Sequence, residues 1–134
     1  MKFIDSNVLI YAVDPRDAIK QQKAKSIVKA ARDRSSYVIS AQVINEFANV
    51  ALGKLGKSKE DVGKFIELFR VIRTVDVQLG WSARALEIMD RYDLQYYDSL
   101  LLAAAESLGC DEFWSEDLND GQLYCGVKAV NPFK

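Results

Sequence analysis

Apolar positions along the chain alternate between two patterns. Phe3-Ile4, Tyr37-Val38-Ile39-Ser40, Val71-Ile72-Arg73-Thr74-Val75, Glu112-Phe113-Trp114-Ser115 and Val127-Lys128-Ala129-Val130 are short β-prone runs, and each predicts a strand. Between them the apolar residues recur at helical spacing. Ala24, Ile27, Val28 and Ala31 place an amphipathic helix over residues 17–33 with a basic outer face. Val43, Phe47, Val50 and Ala51 mark a second helix, running to the Gly53/Gly56 region where glycine suits a helix end. Ser58 with Asp61 three residues on reads as the start of a third, continued by Val62, Phe65, Ile66 and Phe69. Trp81, Ala85, Ile88 and Met89 give a fourth. The run from Leu100 to Ala105 is apolar nearly all round, which predicts a helix buried between layers.

Strands separated by helices predict an α/β fold, a three-layer α/β/α sandwich around a central, mostly parallel sheet. At 134 residues, with no repeat or linker, the expectation is a single domain over 1–134. No apolar run approaches the roughly 20 residues of a membrane span. The first residues lead directly into a strand, without the charged stretch, apolar segment and cleavage site of a signal peptide. The expectation is therefore a cytoplasmic protein with no membrane contact. Cys110 and Cys125 lack CxxC spacing, so reduced thiols are expected in preference to a disulfide or a metal site.

Charge changes this picture in one respect. The net charge is −1, yet residues 1–73 carry 14 Lys/Arg against 8 Asp/Glu, while residues 74–134 carry 4 against 11. The excess in the first half includes Lys20, Lys23, Lys25, Lys29 and Arg32 on the first long helix. A polyanion gripped there is one reading, and solvated lysines are the other.

Candidate chemistry is restricted by the complete absence of histidine, which removes Ser-His-Asp triads, histidine acid–base pairs and most zinc sites. Carboxylates holding a hard cation are left as the leading catalytic device. Four stand out. Asp5 and Asp117 follow strands at their C-terminal ends, where open α/β sheets place ligands. Glu46 lies on the rim of its helix's apolar stripe, and Asp98 shares a face with Leu101, Leu102 and Ala105. Each also has a structural reading: Asp5 and Asp98 as N-caps, Glu46 as an ion-pair partner, Asp117 as a turn residue. Converging on one sheet edge, the four cannot all stay ionised without a cation, and an all-oxygen set suits Mg²⁺ or Mn²⁺. Asn7 and Ser115 stand within two residues of an acid, able to orient it, or equally to cap and turn the chain.

At these residues the chain resembles the PIN-domain family, in particular its VapC-type toxins. Phe3-Ile4-Asp5-Ser6-Asn7-Val8-Leu9-Ile10-Tyr11 is similar to the family's opening strand and first acid. Ser40-Ala41-Gln42-Val43-Ile44-Asn45-Glu46-Phe47 is similar to the segment bearing the second, and Tyr97-Asp98-Ser99-Leu100-Leu101-Leu102-Ala103-Ala104-Ala105 to the third. Trp114-Ser115-Glu116-Asp117-Leu118-Asn119-Asp120-Gly121 resembles the last, with Ser115 in the Ser/Thr slot. The resemblance implies a PIN-like fold and a Mg²⁺-dependent endoribonuclease acting through Asp5, Glu46, Asp98 and Asp117. It also implies a cognate antitoxin protein, RNA as substrate and a homodimer. Asp120 reads either as an acid supporting the site from behind or as a turn residue.

Three alternatives stay open on sequence alone. A phosphotransferase of the haloacid-dehalogenase type needs a second Asp two residues after the first, where this chain has Asn7. A receiver domain needs an adjacent acidic pair near the first strand, which is missing. A PIN-like module that binds RNA without cutting it keeps the same residues.

Overall fold

Six strands form one sheet in the computed structural model, which describes residues 1–134. In chain order the elements are β1 (Lys2–Ile4), α1 (Ser6–Val13), α2 (Ala18–Asp33), β2 (Tyr37–Ser40), α3 (Ala41–Leu52), α4 (Lys59–Phe69), β3 (Arg73–Val75), α5 (Leu79–Tyr92), α6 (Tyr96–Ser107), β4 (Glu112–Trp114), β5 (Leu123–Tyr124) and β6 (Val127–Val130). The sheet order is β3-β2-β1-β4-β6-β5. All neighbours run parallel except the two-residue β5, which is antiparallel to β6. The expected mostly parallel α/β sheet is observed.

The helices divide by connection. Chain leaving β1 moves through α1–α2 to β2 and through α3–α4 to β3; it then returns through α5–α6 to β4 on the other side of β1. Parallel crossovers are right-handed, so a reversal of direction across the sheet puts α5 and α6 on the face opposite α1–α4. Packing agrees: α1 lies against α2 and α3, α3 against α4, and α5 against α6. Helix α6 is buried from Ser99 to Ala105, as its all-round apolar surface requires.

Strand order reverses between β1 and β4, and a crevice at the strands' C-terminal ends opens at such a point. The β1–β4 seam is held tightly. Phe3 pairs with Phe113 in register, both rings are fully buried, and they stack with centroids 5.4 Å apart. Truncating either ring to Ala is expected to cost roughly 3–5 kcal/mol.

Two elements depart from the sequence reading. Helix α1 has no element assigned to it in the sequence beyond Asp5 as a candidate N-cap. Its Val, Leu, Ile and Tyr content is β-prone, but Val8, Leu9, Ala12 and Val13 are the buried positions, a helical spacing, and Asp5 caps the start. Strand β3 begins at Arg73 rather than Val71, because Val71 is exposed in the turn after α4 while Ile72 alone enters the core. Elsewhere the local signals hold. Ser58 caps α4 by accepting from the Asp61 amide at 3.1 Å, and α3 ends at Leu52, before Gly53. Cys110 and Cys125 are both free thiols. No helix is long and apolar enough to cross a membrane.

Candidate active site

Register does the first part of the assembly. Ile4 pairs with Trp114, and the Asp5 amide donates to the Trp114 carbonyl at 3.0 Å, so the residues just beyond β1 and β4 emerge side by side. Asp5 is the N-cap of α1, its Oδ1 accepting from the Ser6 amide at 2.6 Å. Its other oxygen, Oδ2, accepts from the Ser115 hydroxyl at 2.7 Å. The cap reading of Asp5 holds, and the same carboxylate, 3 % exposed, uses its second oxygen on Ser115.

Ser115 is fully buried and completely engaged. Its Oγ donates to Asp5 and accepts from Asn7 Nδ2 at 2.9 Å and from the Asp117 amide at 3.0 Å. The Asn7 amide also reaches Asp117 Oδ2 at 3.1 Å and Asp5 Oδ2 at 3.4 Å. These contacts fix Asp5 and Asp117 relative to each other. The third carboxylate comes from the opposite helical layer: Asp98 lies in the first turn of α6, whose N-cap is Gln95, so Asp98 is not the cap. Asp5, Asp98 and Asp117 each offer an oxygen, all within 4.8 Å of one another.

Glu46 stands outside this trio on α3, but close enough for its charge to act on Asp5. Burial is the main cause that pushes its carboxyl above the ordinary range, and repulsion from Asp98 and Asp117 adds to it. Its Oε1 is buried without a hydrogen-bond partner, and so is Asn7 Oδ1. Asp98 is likewise pushed up, by burial first and Asp117 second. Asp5 rises to about 7, because burial outweighs the hydrogen bonds from Ser115 and Ser6, with Glu46 and Asp117 repelling it further. Buried like charges of this kind favour a bound cation or a shared proton. The donors fit a hard cation: all are oxygens, and unpartnered Oε1 of Glu46 adds a further one.

Asp120 is exposed and apart from the trio. Its Oδ1 accepts from the Asn131 amide at 2.8 Å, which fits the turn reading. The five cations of α2 divide. Lys20 is an ion-pair partner of Glu116 at 3.0 Å and bonds the Tyr11 hydroxyl at 3.2 Å, while that hydroxyl donates to Glu116 at 2.6 Å. Lys25, Lys29 and Arg32 rim an apolar groove of about 210 Å³ floored by Ala12, Val13, Val28, Phe65, Leu68 and Phe69. Lys23 is exposed and outside that groove. Other cations of the basic first half lie beside the Asn7 end of the site. Arg16 and Lys54 line a cavity of about 230 Å³ together with Asn7, Tyr11 and Glu116. Asp14, Arg16 and Lys54 also line a second cavity of about 220 Å³, to which Lys57 is added. Asp14 anchors Arg16 there in a two-pronged pair at 2.9 and 2.8 Å. The sequence positions of these cations, 16 and 54–57, meet only in the fold.

The PIN domain family model matches residues 2–119. The chain belongs to the PIN domain family. That membership displaces the haloacid-dehalogenase and receiver alternatives. Solved structures agree on the PIN fold. A toxin–antitoxin complex from Klebsiella pneumoniae superposes with a TM-score of 0.74 at 18 % identity, covering 98 % of each chain. VapC20 of Mycobacterium tuberculosis, a toxin that cleaves the sarcin–ricin loop, gives 0.71 at 18 % identity, covering 96 % of this chain and 99 % of its own. VapBC2 of Rickettsia felis bound to a fragment of its promoter DNA gives 0.72 at 12 % identity, covering 97 % of each. No match was found among curated proteins.

Proposed function

We propose that this PIN domain is a divalent-cation-dependent endoribonuclease, the toxin of a toxin–antitoxin pair. The observation carrying the proposal is the meeting of Asp5, Asp98 and Asp117 within 4.8 Å at the switch point of the sheet. Support also comes from the structural neighbours, among them a toxin–antitoxin complex and a toxin that cleaves the sarcin–ricin loop.

In this reading Asp5, Asp98 and Asp117 hold Mg²⁺ or Mn²⁺. When bound, such a cation supplies Lewis-acid polarisation of a phosphodiester and activation of water. The protein's own residues do the rest. Ser115 and Asn7 keep Asp5 and Asp117 oriented by the bonds described above, and the Ser6 amide favours the ionised form of Asp5. Glu46, with Oε1 free and a raised pKa, joins the acidic set and takes up the proton released by the attacking water. Arg16, Lys54 and Lys57 face the phosphates beyond the cut. Among the α2 cations, Lys20 holds the Glu116 segment, and Lys23 contributes at longer range.

The proposed protein partner is a cognate antitoxin. The groove under Lys25, Lys29 and Arg32 suits an apolar segment carrying acidic residues, a protein more than a nucleic acid. A homodimer is the proposed assembly, with exposed Leu79 and Leu86 on α5 available to it. Antitoxin-free protein incubated with total RNA tests the activity: Mg²⁺-dependent fragments that EDTA abolishes are expected, and intact RNA from correctly folded protein would refute it.

A further inference from the structure

The acidic centre opens on one side into a cleft of about 370 Å³. Gln42, Asn45 and Glu46 of α3 form one wall, Tyr97 and Leu100 of α6 the other, and Val77 closes it from the β3–α5 connection. Glu46 belongs to both the cleft and the acidic set, and Tyr97 immediately precedes Asp98. A chain bound at the carboxylates therefore presents its neighbouring group to this cleft.

The lining chemistry is selective. Tyr97 is 63 % exposed, a large aromatic face left open beside the acids, and its ring is held edge-to-face by Tyr96 with centroids 5.4 Å apart. Gln42 Nε2 donates to the Tyr97 carbonyl at 3.2 Å, which ties α3 to α6 and leaves Gln42 Oε1 as an acceptor. Asn45 is exposed and makes no side-chain hydrogen bond, so its amide offers two donors and an acceptor. No Lys or Arg lines the cleft, and its one charged group is the anionic Glu46. A phosphate is repelled there. A flat, uncharged ring with π faces and a hydrogen-bonding edge is accommodated.

We propose that this cleft is a nucleobase subsite, in which the base next to the phosphate at the carboxylates stacks on Tyr97 and presents its edge to Asn45. This rests on the nuclease reading above. The subsite selects the form of substrate, because a base reaches such a cleft only after leaving its own stack. The strand at the cut is then single-stranded or looped. The competing occupant is a second copy of the chain, which would cover Tyr97 and Val77 along with Leu79 and Leu86.

Binding of 5′-labelled octamers of uridine and adenosine, and of an abasic ribose-phosphate octamer of equal charge, separates these readings by fluorescence anisotropy in EDTA. Wild type should bind the abasic strand about tenfold more weakly than the better base-bearing one, the usual scale of stacking on one aromatic. Tyr97→Ala should bind all three alike, at the abasic level, whereas Tyr97→Phe should keep the wild-type preference. Asn45→Ala should shrink the difference between uridine and adenosine. Equal affinity of wild type for abasic and base-bearing strands, or no binding of either, overturns the proposal. So does a Tyr97→Ala variant that keeps the base preference while dissociating a dimer in sedimentation. A protein that cuts total RNA with Mg²⁺ yet ignores the bases keeps the nuclease reading and loses the subsite. Base-dependent binding without any metal-dependent cut does the reverse.

Discussion

The Ser115 hydroxyl donates its proton to Asp5 Oδ2 at 2.7 Å, joining the ends of two adjacent parallel strands. The same oxygen accepts from Asn7 and from the Asp117 amide, so one buried atom sets the spacing of two acids that arrive from opposite ends of the chain. Ser115→Ala should leave Asp5 Oδ2 short of its best donor at a cost of about 1–3 kcal/mol, and weaken divalent-cation binding near neutral pH. Ser115→Thr should restore both. Urea unfolding and Mn²⁺ titration of the two variants check this; an alanine variant that unfolds and binds like wild type contradicts the role given to the hydroxyl.

Asp98→Asn separates a cation site from a structural acid. Asp98 lies in the first turn of α6, where the helix dipole favours negative charge, yet its carboxyl is pushed up, so burial and Asp117 win. Removing the charge should leave the metal-free protein with a melting temperature equal to or above that of wild type. Mg²⁺ should then raise wild type by mass action and leave the variant nearly unmoved. Melts of both proteins in EDTA and in Mg²⁺ decide it, and a variant destabilised in EDTA but still stabilised by Mg²⁺ would place Asp98 outside the site.

What the sequence discloses depends on whether the signal is local. The helical stripes, the Ser58 cap and the buried run of α6 are short-range patterns, and they stand in the structure. The four acids were legible because strand ends and helix faces can be read one element at a time. Helix α1 was legible only at its start, through the N-cap reading of Asp5; Ser6–Val13 is rich in β-prone residues, and its helical state rests on that cap and on packing against α2 and α3. Grouping across the chain was hidden for the same reason. Lys20 looks like one of five exposed cations until the fold sets Glu116 beside it, and Arg16 and Lys54 are brought together only by tertiary structure. Tyr97 carries no signal of its own in the sequence, and its exposure beside Asp98 is a property of the fold.

The two basic regions should differ in their effect on RNA. Lys54→Glu with Lys57→Glu reverses cations that line the two cavities sharing Arg16, of which Lys54 also acts by its charge on Asp14. RNA affinity should fall, and the slope of log affinity against log salt should drop by about 1.4, at roughly 0.7 per lost single-strand contact. Lys23→Glu with Lys29→Glu should change both much less. Filter binding across a salt series compares them, and an equal or larger effect from the α2 pair would put the RNA on that helix instead.

Asp5 also gives the metal-free protein a definite pH dependence. Its carboxyl titrates at about 7 in the folded protein against 3.8 for the unburied group. Below pH 3.8 both states hold the proton and the group contributes nothing. Between 3.8 and about 7 the unfolded chain has released it and the native state has not, so stability falls as pH rises. Above about 7 both are ionised and the full cost stands, on the order of 4 kcal/mol at about 1.36 kcal/mol per pH unit. Asp14, lowered to about 2 chiefly by its bond to Arg16, loses its stabilisation only in more acidic solution and leaves this window clear. Unfolding in EDTA should therefore show greater stability at pH 5 than at pH 8, Glu46 and Asp98, also raised by burial, adding in the same direction, and Asp5→Asn should reduce the difference. A wild-type profile that rises over this interval contradicts the burial of Asp5 as an unpaired acid.

We propose that the carboxylates of Asp5, Asp98 and Asp117 form one cation-dependent centre that cuts RNA. Antitoxin-free wild type and Asp98→Asn, each shown to be folded, should be assayed on one RNA preparation in Mg²⁺ and in EDTA. Wild type should produce discrete fragments in Mg²⁺ and none in EDTA, and the variant should lose activity by at least about 100-fold. Cleavage by Asp98→Asn at a rate near that of wild type, or cleavage by wild type that continues in EDTA, would contradict the account.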